Sequence, residues 1–142
     1  MTDFEKQIGP FRLYSEIGRT PISTKYRATD TRSDQTIVLH LLNPTAAQQP
    51  TTVQQFLTIG RQAIRLRHPG IAPILDAGET HGFVYIATQS INGQSLGEQL
   101  RRTSRTIDME AAASIGKAVA SALDYAHSQG FIHGHLTLDQ IY

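Results

Sequence analysis

The chain has 142 residues, a length typical of one domain, and its hydrophobic fraction of 39% indicates a globular protein. Its 13 basic and 12 acidic residues give a net charge of +1, too small to indicate a nucleic-acid or membrane partner. The absence of cysteine excludes disulfides and thiolate metal sites, and the lack of a signal sequence or a membrane-length apolar run predicts a cytoplasmic protein without membrane contact.

The first half of the chain predicts strands and one helix. Apolar residues that alternate or run continuously, followed by turn residues, predict five strands, over residues 11–18, 25–29, 36–42, 71–77 and 83–89. Residues 43–52 predict a loop, and apolar residues at helical spacing predict a helix over residues 52–67. Gly60 inside this helix costs about 1 kcal/mol relative to Ala, which predicts a loosely held helix.

The second half predicts a short helix over residues 95–102 and a long helix over residues 109–129. Asp108 is the expected N-cap of the long helix, and Gly130 is its expected C′ residue. Strands followed by helices, with one helix among the strands, predict an α+β fold built on an antiparallel sheet.

The predicted long helix is apolar over most of its circumference. Its polar residues form one narrow stripe of Glu110, Ser114, Lys117, Ser121, Asp124 and Ser128. A helix of this kind needs other elements around it. We therefore expect a protein partner, or missing C-terminal sequence, to cover residues 109–129, and we expect the chain alone to self-associate.

Several sequence motifs are typical of one protein family. The most specific stretches are residues 26–32, 66–79 and 122–133, and residues 133–140 keep the frame of the motif H-R-D-L-x-x-x-N. On these residues the chain resembles the bacterial eukaryotic-like (Hanks-type) Ser/Thr protein kinases, over nearly its whole length.

This resemblance implies a two-part architecture. Residues 1–89 would form a kinase N-lobe, with a five-stranded antiparallel sheet and one helix. Residues 90–142 would form the hinge and the first helices of a truncated C-lobe, ending in a degraded catalytic loop.

The resemblance also implies where an ATP site would lie. The positions are Ile17, Gly18, Lys25, Val38, His40, Thr88, Gln89 and Ile91. The backbone of residues 89–91 would be the edge that binds adenine, and backbone contacts survive side-chain substitution. An adenine-sized ligand is therefore compatible with the sequence.

The glycine-rich loop of the family is altered. Gly18 keeps the first glycine position, but Thr20 and Ser23 occupy the other two. Thr20 and Pro21 put a side chain and a missing N–H where phosphate would approach. Lys25 replaces an apolar residue, and we favour a solvent-facing side chain over one that reaches phosphate.

The residues that carry out phosphoryl transfer in the family are replaced as well. His40 occupies the position of the phosphate-binding Lys, and Ile59 that of its Glu partner, so an apolar side chain is expected to face a neutral imidazole. His135 occupies the position of the catalytic Asp, and Gln140 that of the metal-binding Asn. These replacements predict no catalytic residue and no metal ligand.

Two other groups of residues receive a structural interpretation. His133 and His135, with His40 or Gln140, are too few for a zinc site. Two arginine clusters are expected to be solvated helix faces. They comprise Arg61, Arg65 and Arg67, and Arg101, Arg102 and Arg105.

The sequence therefore predicts a pseudokinase segment, a non-catalytic binding or regulatory module with no expected cofactor and weak or absent binding of magnesium-ATP. Two alternatives remain open. One is a divergent Ser/Thr kinase whose remaining C-lobe is missing, with His40, Lys25 and His135 in altered roles. The other is a truncated gene product without activity.

Overall fold

A computed structural model describes residues 6–103 and 106–142, so Arg105 of the second arginine cluster lies outside the described residues. The strands are β1 (Lys6–Ile8), β2 (Phe11–Arg19), β3 (Ser23–Asp30), β4 (Gln35–Leu42), β5 (Ile74–Thr80) and β6 (Phe83–Gln89). The helices are α1 (Pro44–Ala47), α2 (Pro50–Ala63), α3 (Leu96–Thr103) and α4 (Met109–Ser128), and a 3₁₀ turn covers Leu138–Gln140.

The strands form one antiparallel sheet in the order β1-β2-β3-β4-β6-β5. The predicted α+β fold with an antiparallel sheet is confirmed. The sheet has six strands in the described part of the chain, not five, because β1 pairs with the start of β2. Its three residues, Lys6–Ile8, are too few to show a period of two in the sequence.

The sheet is strongly curled. Register shifts interrupt β2 between Leu13 and Ser15 and β5 between Ile74 and Asp76, and such bulges increase strand twist. Gly9, at φ +55°, lies so close to the Thr80 side chain that a Cβ would collide with it. The turn after β1 therefore lies beside the β5–β6 turn, and the inner face of the sheet encloses a core. This inner core contains Ile8, Phe11, Leu13, Ala28, Ile37, Leu39, Leu41, Tyr85 and Ala87.

Helix α2 packs on the other face of the sheet through Leu57, Gly60 and Ala63. A Cβ on Gly60 would lie 2.8 Å from the Ala77 Cβ and 2.9 Å from the Ile86 Cγ1. The prediction that Gly60 loosens this helix is therefore wrong, because the missing side chain is what allows helix and sheet to approach closely.

The helix boundaries differ from the predicted ones at both ends. Residues 43–52 were predicted as a loop but contain α1 and the start of α2, since Pro44 and Pro50 lie in the first turn of each helix, where proline is tolerated. Helix α2 ends at Ala63, four residues before the predicted end at Arg67.

The chain divides into two compact units. The first comprises Met1–Arg65 and Ala72–Ser90, and the second comprises Leu66–Ile71 and Ile91–Tyr142. The segment 66–71 thus belongs to the second unit, whereas a single division after residue 89 was expected. Its contacts explain why, since the Arg67 N–H donates to the Tyr125 hydroxyl at 2.9 Å and the His68 ring lies 5.4 Å from the Tyr125 ring.

In the second unit, α4 begins at Met109 as predicted and ends at Ser128, one residue before the predicted end. The Asp108 carboxylate accepts a hydrogen bond from the Ala111 N–H at 2.7 Å, and Gly130 has a φ of +77°. Part of the apolar surface of α4 is exposed. Ala122 and Ala126 are buried, whereas Ala112 and Ala120 are exposed and Met109 is 88% exposed. No helix among the described residues is long and apolar enough to cross a membrane.

Candidate functional site

The turn between β2 and β3 is closed by its own hydrogen bonds. The Thr20 N–H donates to the Ser23 carbonyl at 2.8 Å, and the Ser23 N–H donates to the Thr20 Oγ1 at 3.0 Å. The two hydroxyls lie 2.8 Å apart, and Ser23 is buried. Because Pro21 has no N–H, little of this turn remains to bind a phosphate. Sequence reasoning found the substitutions but not this pairing, which a Thr and a Ser three residues apart in a turn could have suggested.

Lys25 and His40 are direct neighbours on adjacent strands. Lys25 pairs with His40 across β3 and β4, and with Gly18 across β2 and β3. The Cδ of Lys25 lies 3.8 Å from where a Gly18 Cβ would be. Lys25 is half-buried, and no carboxylate among the described residues forms an ion pair with it. Its positive charge therefore remains near His40.

His40 is half-buried on the sheet face that carries α2. Burial lowers the pKa of His40 to about 4, and the positive charge of Lys25 acts in the same direction. Its Nε2 lies 3.4 Å from the Thr88 Oγ1, which in turn donates to the Val38 carbonyl at 3.4 Å. At neutral pH the imidazole is uncharged.

Ile59 was expected to face His40, but it is exposed. Its side chain is 51% exposed, and the α2 residue that contacts Ile86, the cross-strand partner of His40, is Gly60. The predicted packing of Ile59 against His40 is therefore wrong. One residue along a helix is a rotation of about 100°, so burying Gly60 turns Ile59 away from the sheet.

The remaining ATP-site positions fall in both units. In the first, Ile17 is exposed on β2, and the Gln89 N–H donates to the Pro73 carbonyl at 3.0 Å. In the second, Ile91 is exposed.

The segment 133–140, which occupies the catalytic-loop positions of the motif frame, ends in a small hydrogen-bonded turn in the second unit. The Gln140 side-chain oxygen accepts from the Thr137 N–H at 2.7 Å and from its hydroxyl at 3.3 Å. This oxygen is the one atom of Gln140 suited to bind a metal, and it is engaged with its own turn. The His135 N–H donates to the His133 Nδ1 at 3.3 Å, and both histidines are exposed. Across the described ranges, no cluster of three or more His, Asp or Glu residues is placed to hold a metal ion.

Comparisons with known proteins identify the family of the chain and similar folds. Residues 11–139 match the family model of the protein kinase domain, so the chain belongs to the protein kinase domain family. Over 127 residues it is 35% identical to the serine/threonine-protein kinase PknE of Mycobacterium tuberculosis, covering 89% of this chain and 22% of that protein. It is 32% identical to PknD of the same species, again over 127 residues, covering 89% of this chain and 19% of PknD.

A solved structure gives the same result for the fold. The crystal structure of the PknI kinase domain of M. tuberculosis superposes with a TM-score of 0.81 at 24% identity, covering 95% of this chain and 54% of that one. The chain thus spans about half of a solved kinase domain and about a fifth of the curated relatives it matches.

Proposed function

We propose that the chain is a pseudokinase segment, a kinase-like module that binds or regulates a protein partner without transferring phosphate. The observation that carries the proposal is the environment of His40. In the motif frame His40 occupies the position of the Lys that clamps the α- and β-phosphates. A half-buried imidazole with a pKa of about 4 offers no positive charge there at pH 7.

The hydrogen bonds of two turns support the same proposal. The turn at residues 20–23 uses the N–H groups of Thr20 and Ser23 internally, whereas a phosphate-binding loop presents its N–H groups to the ligand. The Gln140 side-chain oxygen accepts a hydrogen bond from the Thr137 N–H, and this bond competes with the binding of a metal ion. Cation, loop donors and metal ligand are thus weakened together, and each supports a separate part of the transition state in phosphoryl transfer.

For cofactors, we propose that none is required and that magnesium-ATP binds weakly or not at all. An adenine-sized ligand remains compatible with the backbone of residues 89–91, because side-chain substitution does not remove backbone donors and acceptors.

We expect no transfer of phosphate from ATP to the chain itself or to a generic protein substrate. Losing a general base alone costs on the order of 10²–10⁴-fold in rate, and here the clamp and metal ligand are replaced as well. The measurement is turnover of radiolabelled ATP against a buffer control. Turnover that His135→Ala abolishes would overturn the proposal, and turnover that persists in this variant would indicate a contaminating kinase.

One observation favours the second candidate, a divergent Ser/Thr kinase. Lys25 is half-buried and has no carboxylate partner among the described residues. In a divergent kinase, Lys25 on β3 would supply the positive charge that is missing at His40 on the neighbouring strand β4. The two candidates differ in their response to Lys25→Met. A divergent kinase supplied with the remainder of its catalytic domain would lose activity in this variant, whereas a pseudokinase has none to lose.

We also propose that α4 is covered, in the functional protein, by a protein partner or by further C-terminal sequence. The exposed residues Met109, Ala112, Ala113, Gly116 and Ala120 recur at helical spacing and form one apolar stripe. No nucleic-acid or membrane partner is part of this proposal.

The isolated 142-residue chain is therefore expected to self-associate or to bind hydrophobic dyes at tens of micromolar. Covering a few hundred Å² of apolar surface at about 25 cal/mol per Å² contributes several kcal/mol. Ala120→Glu should shift the chain toward monomer in light scattering, because it places a charge on the stripe. Ser114→Glu, on the polar side of the same helix, is the matched control. A monomeric parent chain without dye binding would contradict the expectation.

A further inference from the structure

The curled sheet of the first unit has an open cavity at one end of its inner face. The cavity has a volume of about 200 Å³. Its apolar lining comprises Ile8, Leu13, Tyr26, Leu41, Leu42, Pro44 and Phe83. Ile8, Leu13 and Leu41 are buried members of the inner core, so the floor of the cavity belongs to the hydrophobic core of the first unit.

Three polar residues line this cavity, Lys6, Thr24 and Asn43, and none of them is acidic. Lys6 is its one charged lining residue, and its ammonium lies 5.1 Å from the centre of the Phe83 ring. Among the described residues Lys6 has no carboxylate partner. Asn43 also lines the cavity, and its side-chain oxygen accepts from the Thr24 hydroxyl at 2.9 Å, which leaves the amide nitrogen as a donor.

Size and charge together define a ligand class. An apolar cavity of ~150 Å³ in another protein holds benzene, so this cavity has room for one six-membered ring with a short substituent. A cation and an amide donor, with no acidic group in the lining, favour a negatively charged substituent.

We propose that this cavity binds a small aromatic carboxylate, with the ring against Leu13, Leu41 and Phe83 and the carboxylate at Lys6 and Asn43. The site lies wholly within the first unit, and none of its lining residues is among the ATP-site positions. It is therefore independent of the proposed loss of phosphoryl transfer, and either proposal can fail without the other.

The test is titration of the 142-residue chain with phenylacetate, followed by methyl resonances in two-dimensional NMR. The methyl signals of Ile8, Leu13 and Leu41 should shift in a saturable way. Phenylacetamide, which has the same shape without the charge, should bind more weakly to the parent chain. Shifts that are absent, or that spread evenly over methyl groups of both units, would overturn the proposal.

Two variants separate specific recognition from general stickiness. Lys6→Met should weaken phenylacetate binding about two- to fivefold, the range expected for an exposed ion pair, and should leave phenylacetamide unchanged. Lys117→Met, which removes an exposed lysine on α4, is the matched control and should change neither. If Lys6→Met weakens both probes equally, or neither, the proposed carboxylate recognition is wrong.

Discussion

Lowering the pH from 6.5 to 4 should reduce the stability of the first unit by roughly 3 kcal/mol through His40 alone. Unfolding returns His40 to its ordinary pKa of 6.5, whereas the folded chain holds the pKa at about 4. Between these values the unfolded state binds the proton that the folded state excludes, so stability rises with pH across this window. Each unit of pKa difference corresponds to about 1.4 kcal/mol.

Denaturant unfolding at a series of pH values measures this effect, and two variants assign it. His40→Gln removes the titrating group and should remove most of the loss. Lys25→Met should reduce the loss only in part, because burial is the larger cause of the lowered pKa and the Lys25 charge is the smaller. An unchanged pH dependence in His40→Gln would show that the imidazole is solvated or charged in the folded chain.

Gly60→Ala should destabilise the chain by a net amount of up to about 2 kcal/mol, although alanine is the better helix former. The added Cβ would lie 2.8 Å from the Ala77 Cβ and 2.9 Å from the Ile86 Cγ1, so α2 must move away from the sheet. Overpacking of this kind costs about 1–3 kcal/mol and outweighs a gain in helix propensity of up to about 1 kcal/mol.

Gly116→Ala is the matched control for this substitution. Gly116 lies in the interior of α4, and apart from its chain neighbours and the backbone of its own helix no atom is within 4 Å of where its Cβ would be. The same change should therefore stabilise the chain by about 0.5–1 kcal/mol, through helix propensity and the entropy of the unfolded chain. Thermal unfolding of the two variants should move in opposite directions. A shift in the same direction for both would contradict the close packing of α2 on the sheet.

The sequence predicts most of the fold because its strands and helices carry strong periodicity and clear ends. Asp108 and Gly130 limit α4 through local hydrogen bonding and backbone conformation, which depend on near neighbours in the chain. Strand β1 and the burial of Gly60 depend instead on contacts with residues far along the chain. A three-residue strand has too little pattern of its own, and helix propensity does not report which face of α2 approaches the sheet.

The candidate site likewise has features that the sequence predicts and features that depend on contacts in the folded chain. The replacement of the family's functional residues at His40, His135 and Gln140 is readable from motif spacing alone. The pKa of His40 is not, because it depends on the burial of the imidazole and on Lys25 across the sheet. The internal bonding of Thr20 with Ser23, and of Gln140 with Thr137, also required the folded backbone.

The measurement that tests the pseudokinase proposal most directly is the melting temperature with millimolar ATP, with and without magnesium. A ligand that binds only the folded state adds RT ln(1 + [L]/Kd), about 2.7 kcal/mol at a hundredfold excess over Kd. We expect no magnesium-dependent rise, because the positive charge, loop N–H groups and metal ligand are replaced or engaged elsewhere. A clear magnesium-dependent rise in the melting temperature would contradict the proposal.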